Sequence, residues 1–334
     1  MSVTLDDVAG RAGVSRALVS LALNGSTRVS ERSREKILAA VAELGYRPNL
    51  NARRLASRRT GTIGVLLTDL HNPIFADVLD GLDEGLGPLR DQILLASGFN
   101  QPSRERTAIE SFLALQADAI ILLGCQLPVT EIEELANTIP TVVVGRKTRV
   151  ADSLIIDDTM GVRLVMEHLT GLGHTRIAHV DGGRGARAVA RRQAYTEFMK
   201  DLGLERNVEI YHGDYTEKGG EAGFDQMWAQ SKPTAVFAAN DLSAIGVLGR
   251  ARNQRVEIPA ELSVAGFDNT SLAQSSGISL TTVGRPGIDM GHAAAELLTE
   301  RLEDRSKKAS HVLMEPALFV RSTTAQASTA SVQG

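Results

Sequence analysis

The N-terminal stretch TLDDVAGRAGVSRALVSLALNG, residues 4–25, constrains the fold of this chain more than any other segment. Thr4 can cap a first helix with apolar residues at helical spacing, and Gly13 can end it. Ser15 can cap a second helix that ends near Gly25. Two short amphipathic helices that meet at a glycine turn predict a helix-turn-helix unit.

A third helix is predicted to complete this unit, beginning after a Ser30 cap and ending at Gly45. We expect its apolar side chains to close a small three-helix core: Ile37, Leu38, Val41 and Leu44. A plain three-helix interaction module would show the same pattern, so the caps alone leave the partner open.

The charge distribution favours nucleic acid as that partner. Residues 1–60 hold 11 basic and 5 acidic residues, a net charge of +6, whereas residues 61–334 carry a net charge of −10. A basic end on an otherwise acidic chain is typical of a DNA-binding module. In the major groove, the second helix would present mainly its outward face. The candidate DNA-binding residues of residues 1–46 are Thr4, Ser15, Arg16, Ala17, Ser20, Leu21, Asn24, Arg28 and Ser30.

The stretch YRPNLNARRLASRRTG, residues 46–61, follows this unit. Pro48 should break the preceding helix, and Asn49 can cap about two further turns, too short to be stable alone. Four arginines surround Leu55, and an apolar wedge among basic residues is what kinks a minor groove. We therefore add Asn49, Ala52 and Leu55 to the candidate DNA-binding residues, with a plain charged linker as the open alternative.

The rest of the chain alternates short apolar runs with amphipathic segments, which predicts parallel, doubly wound sheets. Strands are expected at TIGVLL, QILLAS, AIILLG, TVVVG, RIAHV, VEIYH, TAVFAA and LSVAGF. Helices are expected near residues 74–87, 103–116, 129–137, 159–172, 190–203, 216–230 and 240–254. Two such lobes would bind a ligand at the carboxyl ends of their strands.

The residues at the N-terminus resemble those of the LacI/GalR family of bacterial transcription regulators, and the similarity runs through HNPIF, HLTGLGHTRIAHVDG, FAANDLSAIGVL and SVAGFDN to LFVRSTT. The resemblance implies a multidomain chain with a periplasmic-binding-protein-like core, in which the helix around residues 290–303 returns to the first lobe. It predicts five parts: a helix-turn-helix domain (1–46), a hinge (47–60), a first lobe (61–158 and 286–315), a second lobe (159–285 and 316–324) and a disordered tail (325–334). It also implies a homodimeric repressor that binds an inverted-repeat operator under the control of a small-molecule effector.

The same resemblance nominates residues that face the effector: Asp69, Phe75, Arg146, Arg191, Tyr215, Asn240, Asp268 and Arg285. Arginine and aspartate can share adjacent hydroxyl groups and an aromatic ring can cover an apolar sugar face, so a sugar or polyol is expected. A helix cap or an ion pair between lobes remains the alternative for each. Arg285, Arg184 and Arg187 leave room for a sugar phosphate, although solvated arginines are the simpler interpretation of the last two.

Other classes of protein fit the sequence less well. It shows no GxGxxG motif after a strand, no metal-ligand spacing and no nucleophile–base pair, so we expect neither an enzyme nor a metal or other cofactor. The single Cys125 and the lack of an apolar signal or membrane-spanning run suggest a cytoplasmic protein with no membrane partner. A solute-binding receptor of a transport system is the alternative, but it would need a signal peptide and no basic N-terminal unit.

Overall fold

The computed structural model describes residues 3–23, 26, 28–46, 60–87 and 92–328. They form two units, Met1–Thr60 and Gly61–Gly334. Within the described ranges, no helix combines the length and apolarity that a membrane crossing requires.

The N-terminal unit contains helices α1 (Leu5–Ala12), α2 (Arg16–Leu23) and α3 (Glu31–Leu44). The predicted caps at Thr4, Ser15 and Ser30 are confirmed: each hydroxyl accepts a backbone N–H from the first turn of its helix. Gly13 ends α1 with a φ of 68°, in the left-handed region that glycine adopts freely.

The core of this unit is small, and one predicted core residue is wrong. Its fully buried apolar side chains are Val8, Ala9, Val19, Ala22, Val29, Ile37, Ala40 and Tyr46. Leu38, predicted to be in this core, is 49% exposed. Successive side chains on a helix point about 100° apart, so Leu38 cannot share the inward direction of Ile37.

The second unit has the following elements in chain order: β1 (Thr62–Leu67), α4 (Pro73–Leu86), β2 (Gln92–Ser97), α5 (Pro102–Ala114), β3 (Ala119–Leu123), α6 (Val129–Thr138), β4 (Thr141–Val144), β5 (Asp152–Ile156), α7 (Asp158–Gly171), β6 (Ile177–Val180), α8 (Ala186–Asp201), a 3₁₀ turn (Glu205–Asn207), β7 (Glu209–Tyr211), α9 (Glu217–Gln230), β8 (Ala235–Ala238), α10 (Asp241–Asn253), β9 (Ser263–Phe267), α11 (Ser271–Gln274), β10 (Thr281–Gly284), α12 (Gly287–Glu303), β11 (His311–Met314) and β12 (Ala317–Phe319).

These strands form two six-stranded sheets of matching order. The first-lobe sheet runs β11-β5-β4-β3-β1-β2 and the second-lobe sheet runs β12-β10-β9-β8-β6-β7. All described pairings are parallel except β10 with β12, which is antiparallel. The chain thus crosses between lobes three times, after β5, after β10 and between β11 and β12, which places the cleft between two rows of strand ends.

The predicted doubly wound fold is confirmed, with local differences. QILLAS, expected to be a buried strand, is β2 at a sheet edge and is partly exposed. Strands β5, β10, β11 and β12 were not predicted. β11 and β12 are partly exposed strands at sheet edges, so they lack the continuous apolar run of a buried strand. Residues 325–328, assigned to a disordered tail, are held instead: the amides of Ala325 and Ala327 donate to Ser263 Oγ and to the Leu172 carbonyl.

Helices α4 and α12 pack so closely that glycine is required at the crossing. A Cβ on Gly81 would lie 2.1 Å from the Ile288 carbonyl oxygen, and one on Gly291 would lie 2.2 Å from the Val78 oxygen. This close packing fixes the position of the N-terminal part of α4 relative to that of α12. Residues from both of these helix segments line the cleft.

Candidate effector cavity and DNA-binding surface

A cavity of about 340 Å³ lies between the lobes, at the carboxyl ends of the strands. The two walls differ in chemistry. The first-lobe wall combines an apolar patch with polar side chains at its margin. The apolar patch is formed by Ile74, Phe75, Val78, Leu123, Val144 and Met290, and the polar margin by Thr68, Asp69, Asn72, Asn100, Gln126 and Arg146. The second-lobe wall is charged and polar, formed by Arg184, Arg187, Arg191, Asp214, Tyr215 and Asp268. An apolar patch on one wall and hydrogen-bonding groups on both walls suit a ligand that has an apolar face and several polar groups.

Arg191 is the centre of the charged wall. It is 1% exposed on α8, and its Nε donates to Asp158 Oδ1 at 2.8 Å. Its Nη1 donates to the Ala239 carbonyl, and Nη2 lies 3.7 Å from Asp268 Oδ1 without a hydrogen bond. The guanidinium carbon sits 3.5 Å from the centre of the Phe267 ring. A buried guanidinium held on several sides is fixed in place before a ligand arrives.

Asp158 joins Arg191 to Arg187. Arg187 donates to both carboxylate oxygens of Asp158, at 3.1 and 3.2 Å. Burial alone would raise the pKa of Asp158, but the two guanidinium groups outweigh it and hold the pKa at about 2. Arg187 is therefore paired rather than solvated, contrary to the simpler interpretation of the sequence, while Arg184 is exposed at the cavity.

Tyr215 and Asp268 complete this wall with unusual backbone conformations. Tyr215 has a φ of 66° and Asp268 a φ of 117°. The Tyr215 ring rests on Gly182, where a Cβ would lie 2.2 Å from Cζ, and its hydroxyl is buried without a hydrogen-bond partner. Burial raises the pKa of both side chains above their ordinary values. Strain and unpaired polar atoms at one cavity are typical of a ligand site.

A second buried carboxylate, Asp241, lies behind Asp268 at the start of α10. It accepts from the amide and hydroxyl of Thr270, at 2.8 and 3.0 Å, and from the Thr282 hydroxyl. Burial and the neighbouring Asp268 charge raise the pKa of Asp241 to about 7. These hydrogen bonds fix the segment that carries Asp268.

The structure brings six of the eight predicted effector residues to the cavity: Asp69, Phe75, Arg146, Arg191, Tyr215 and Asp268. Asn240 does not line it, because its oxygen caps α10 through the Ser243 amide and its nitrogen donates to the Tyr215 carbonyl. Arg285 does not line it either; its Nε faces Asp289 one helical turn away, at 3.0 Å.

Sequence reasoning missed several cavity residues: Thr68, Asn72, Asn100, Gln126, Asp214 and Met290. Thr68 directly follows β1 and Asn72 caps α4, so their positions gave a signal. Asn100, Gln126 and Asp214 each lie three residues after a strand, which is a weaker one. Asp158, which orients both arginines, carried none, because its partners lie 29 and 33 positions along the chain.

The candidate DNA-binding residues of the N-terminal unit are mostly accessible. Ser20 is half-buried, while Ala17, Leu21, Arg28 and Ser30 are exposed. Arg16 is also exposed and lies 3.5 Å from the Asp6 carboxylate. Asn24, Asn49, Ala52 and Leu55, and with them the predicted hinge helix, lie outside the described residues.

One residue that supports this surface was not predicted. Arg34 on α3 donates to the carbonyls of Ala22 and Ser26, at 3.1 and 2.7 Å. It thus ties the end of α2 to the third helix.

Comparison with known proteins identifies the family. Residues 4–49 match the model for bacterial regulatory proteins of the lacI family, and residues 166–324 match a periplasmic binding protein-like domain. The catabolite control protein A of Priestia megaterium is 31% identical over 97% of this chain and 100% of its own length. The chain belongs to the LacI/GalR family.

Solved structures of family members share the fold over nearly the whole chain. A Lac repressor dimer bound to operator and the anti-inducer ONPF superposes with a TM-score of 0.84, at 27% identity over 97% of this chain and 100% of the other. A complex of the regulator CelR with cellobiose gives a TM-score of 0.70, at 28% identity over 96% and 99%. The chain is a DNA-binding transcriptional regulator, in a family that is not enzymatic, rather than a transport receptor.

Within the described residues, no group of three or more His, Cys, Asp or Glu side chains could hold a metal ion. The cavity is lined by arginine–carboxylate pairs, hydroxyl and amide groups, and an apolar patch.

Proposed function

We propose that this LacI/GalR regulator is a homodimeric repressor whose cavity binds a sugar or polyol, and that binding changes its affinity for an inverted-repeat operator. The observation that carries the proposal is the arginine cluster around the buried Arg191, which shares the cavity with an apolar patch on the first lobe and has Arg191 Nη2 and Tyr215 Oη left without hydrogen-bond partners. Hydroxyl groups of a ligand would supply partners for both. A protein whose partner is chromosomal operator DNA acts in the cytoplasm.

The two walls suit different faces of the same ligand. Arg191 and Asp268 can hold neighbouring hydroxyls by paired hydrogen bonds, since one donates and the other accepts. Phe75 can cover the C–H face of a sugar ring on the opposite side. The volume of about 340 Å³ fits a molecule of that size.

Cleft occupancy can control DNA binding only if the effector binds the open and closed forms of the core differently. In the described structure, the first-lobe Asp77 carboxylate accepts the second-lobe Ser271 amide at 3.0 Å, beside the cavity. We infer that closing the lobes on the effector makes or breaks such contacts, and that this shifts the first lobes of a dimer.

A thermal-shift screen tests the effector class. The panel is cellobiose, D-ribose, D-galactose, mannitol and D-glucose 6-phosphate, because it separates neutral sugars, a polyol and a sugar phosphate. A compound at about 100 times its dissociation constant stabilises the protein by ~2.7 kcal/mol, which shifts the melting temperature measurably. No shift with any member would contradict the proposed effector class.

The sugar phosphate is tested in a separate comparison. The reason is that Arg184 is exposed at the cavity and has no ion pair among the described residues. If D-glucose 6-phosphate and inorganic phosphate shift the melting temperature and neutral sugars do not, the effector is anionic. The matched variant Arg184→Ala should then lose the phosphate response.

The proposed DNA contacts are tested on an operator selected from random DNA. An inverted repeat is expected, because specificity requires two half-sites related by the dimer axis. Ser20→Ala and Arg28→Ala should weaken operator binding, whereas Lys36→Ala, on the exposed part of α3, serves as the charge control.

A further inference from the structure

Glu105, on α5, is a buried carboxylate without a described cation partner. Its side chain is completely inaccessible, and none of the described Lys, Arg or His side chains forms an ion pair with it. Such a group is costly to bury unless hydrogen bonds replace its water. Here the hydrogen-bond donors that replace water all come from one loop, residues 125–127.

That loop gives the carboxylate every described hydrogen bond it has. The Gln126 amide donates to Oε1 and Oε2 at 3.1 and 2.9 Å, and the Leu127 amide donates to Oε2 at 3.0 Å. The Cys125 thiol donates to Oε2 at 3.1 Å. Burial and this carboxylate together raise the pKa of the Cys125 thiol.

The loop held in this way is part of the effector cavity. Gly124, Cys125 and Gln126 all line the first-lobe wall. The carbonyl of Leu127, the next residue, accepts from Arg146 Nη1 at 2.5 Å, and Arg146 also lines the cavity. Glu105 itself does not line it, so its effect on a ligand can only be indirect.

The Glu105 side chain can occupy this position only because residue 98, just after β2, is a glycine. A Cβ on Gly98 would lie 2.4 Å from Glu105 Cγ. The Glu105 side chain therefore packs closely beside Gly98 while its carboxylate binds only the loop after β3.

We propose that Glu105 is a positioning residue for the effector: its carboxylate sets the loop 124–127, and through the Leu127 carbonyl it sets the Arg146 guanidinium. This inference rests on the proposed effector cavity, but its first test needs no ligand. A residue that only stabilised the fold would lower the melting temperature without a specific effect on loop or ligand.

The first test labels Cys125, the only cysteine of the chain, with 5,5′-dithiobis(2-nitrobenzoate) in the full-length protein. Glu105→Gln and Glu105→Ala both remove the negative charge near the thiol, so a difference between them reports the lost acceptor oxygen together with the lost side-chain volume. The volume effect is measured separately with a control variant. We expect Glu105→Ala to react roughly tenfold faster than Glu105→Gln, because the loop opens locally.

Ile109→Ala is the matched control, since Ile109 lies one turn further along α5 in the same apolar cluster as Cys125. It should destabilise the protein without speeding the labelling. Equal labelling rates for Glu105→Ala and Glu105→Gln, or an equal acceleration in Ile109→Ala, would overturn the proposal.

The second test measures the affinity of the panel compound that gives the largest thermal shift. Glu105→Ala should weaken it roughly tenfold, with Glu105→Gln and Ile109→Ala within about threefold of the unchanged protein. In a double-mutant cycle, Glu105→Ala should cause little further loss of affinity in a protein that already carries Arg146→Met, because Glu105 acts through Arg146. Additive losses would overturn that route. If no panel compound binds the unchanged protein, the effector proposal fails, and the labelling comparison still decides the role of Glu105.

Discussion

The N-terminal unit and the effector cavity place their charges in opposite ways. In the N-terminal unit the described ion pairs are at the surface, as in Arg11 with Glu43, and both side chains are about half exposed. In the core, Arg191 is 1% exposed and meets Asp158 and Asp268, which are 13% and 8% exposed. The first arrangement leaves basic groups available to a polyanion in solvent, and the second fixes them for one ligand.

This difference has a physical consequence for each activity. Exposed charges are screened by salt, so binding through them weakens steeply as counterions compete. Buried pairs are screened much less and are set in place by the fold, so they select by geometry. The two activities of this regulator should therefore separate by truncation, by point substitution and by solution conditions.

The largest expected effect is the loss of DNA binding on removal of residues 1–60. That segment carries the net charge of +6 and every candidate DNA contact, whereas the remainder carries −10. The truncated protein should stay a folded dimer, keep its thermal shift with the effector and bind no operator in an anisotropy titration. Unchanged operator affinity after truncation would disprove the assignment.

The next effect concerns Leu55, which lies outside the described residues. If its side chain is a wedge in the minor groove, Leu55→Ala should weaken operator binding by about a few kcal/mol, the scale of unstacking one base step. Binding to random-sequence DNA should barely change, which provides the internal control. Equal operator affinity for both proteins would make this segment a plain linker.

A smaller effect is expected in the core. Arg191→Ala and Asp268→Ala should each weaken effector binding at least tenfold, on the order of 1.4 kcal/mol, while operator binding without effector survives. Arg191→Ala also leaves the buried Asp268 without its paired cation and leaves Asp158 with Arg187 alone, so its melting temperature should fall. Asp268→Asn keeps the shape of the side chain and removes only its charge, so it tests the role of Asp268 in effector binding more directly.

Arg301→Ala gives the matched control for that experiment. Arg301 pairs with the buried Asp152 at 2.8 Å, and neither residue lines the cavity. This variant should lose stability and keep effector affinity. If Arg301→Ala weakens effector binding as much as Arg191→Ala does, the effect of Arg191→Ala reflects lost stability and gives no support to the cavity assignment.

The order of most strands and of the longer helices could be predicted from the sequence, because apolar runs and caps act locally. TIGVLL became β1 without a shift, and the helices of both lobes lie within a few residues of their expected bounds. Position after a strand also indicated which polar residues could reach the cleft, since parallel strands align their carboxyl ends. Asp69, Tyr215 and Asp268 illustrate that rule.

What could not be predicted depends on contacts between distant segments. Asn240 follows a strand like the others, but the Ser243 amide and the Tyr215 carbonyl use its side chain. Arg187 looked solvated because its partner Asp158 begins a different helix. Glu105 sits in an ordinary helical pattern, and only the fold shows that it faces the loop after β3.

The smallest effect is a pH dependence confined to the core. Burial and the neighbouring Asp268 charge raise the pKa of Asp241 from the ordinary 3.8 to about 7, so mildly acidic solution lies between the unfolded and folded values. A native state that holds a proton which the unfolded chain has released is stabilised at low pH. That contribution is complete below the unfolded value and is lost as the pH rises through about 7.

Asp241→Asn removes this titration while keeping the shape of the side chain, so its melting temperature should fall less than that of the unchanged protein as the pH rises from about 5 to about 8. The comparison between the two proteins is needed because burial lowers the pKa of His179 to about 4, which acts in the opposite direction. All carboxylates described in the N-terminal unit are exposed, so the fragment lacking residues 1–60 should show the same difference. If the melting temperatures of the two proteins change equally with pH, Asp241 is ionised in the native core throughout this range. The three hydrogen-bond donors would then stabilise the charged carboxylate more than burial destabilises it.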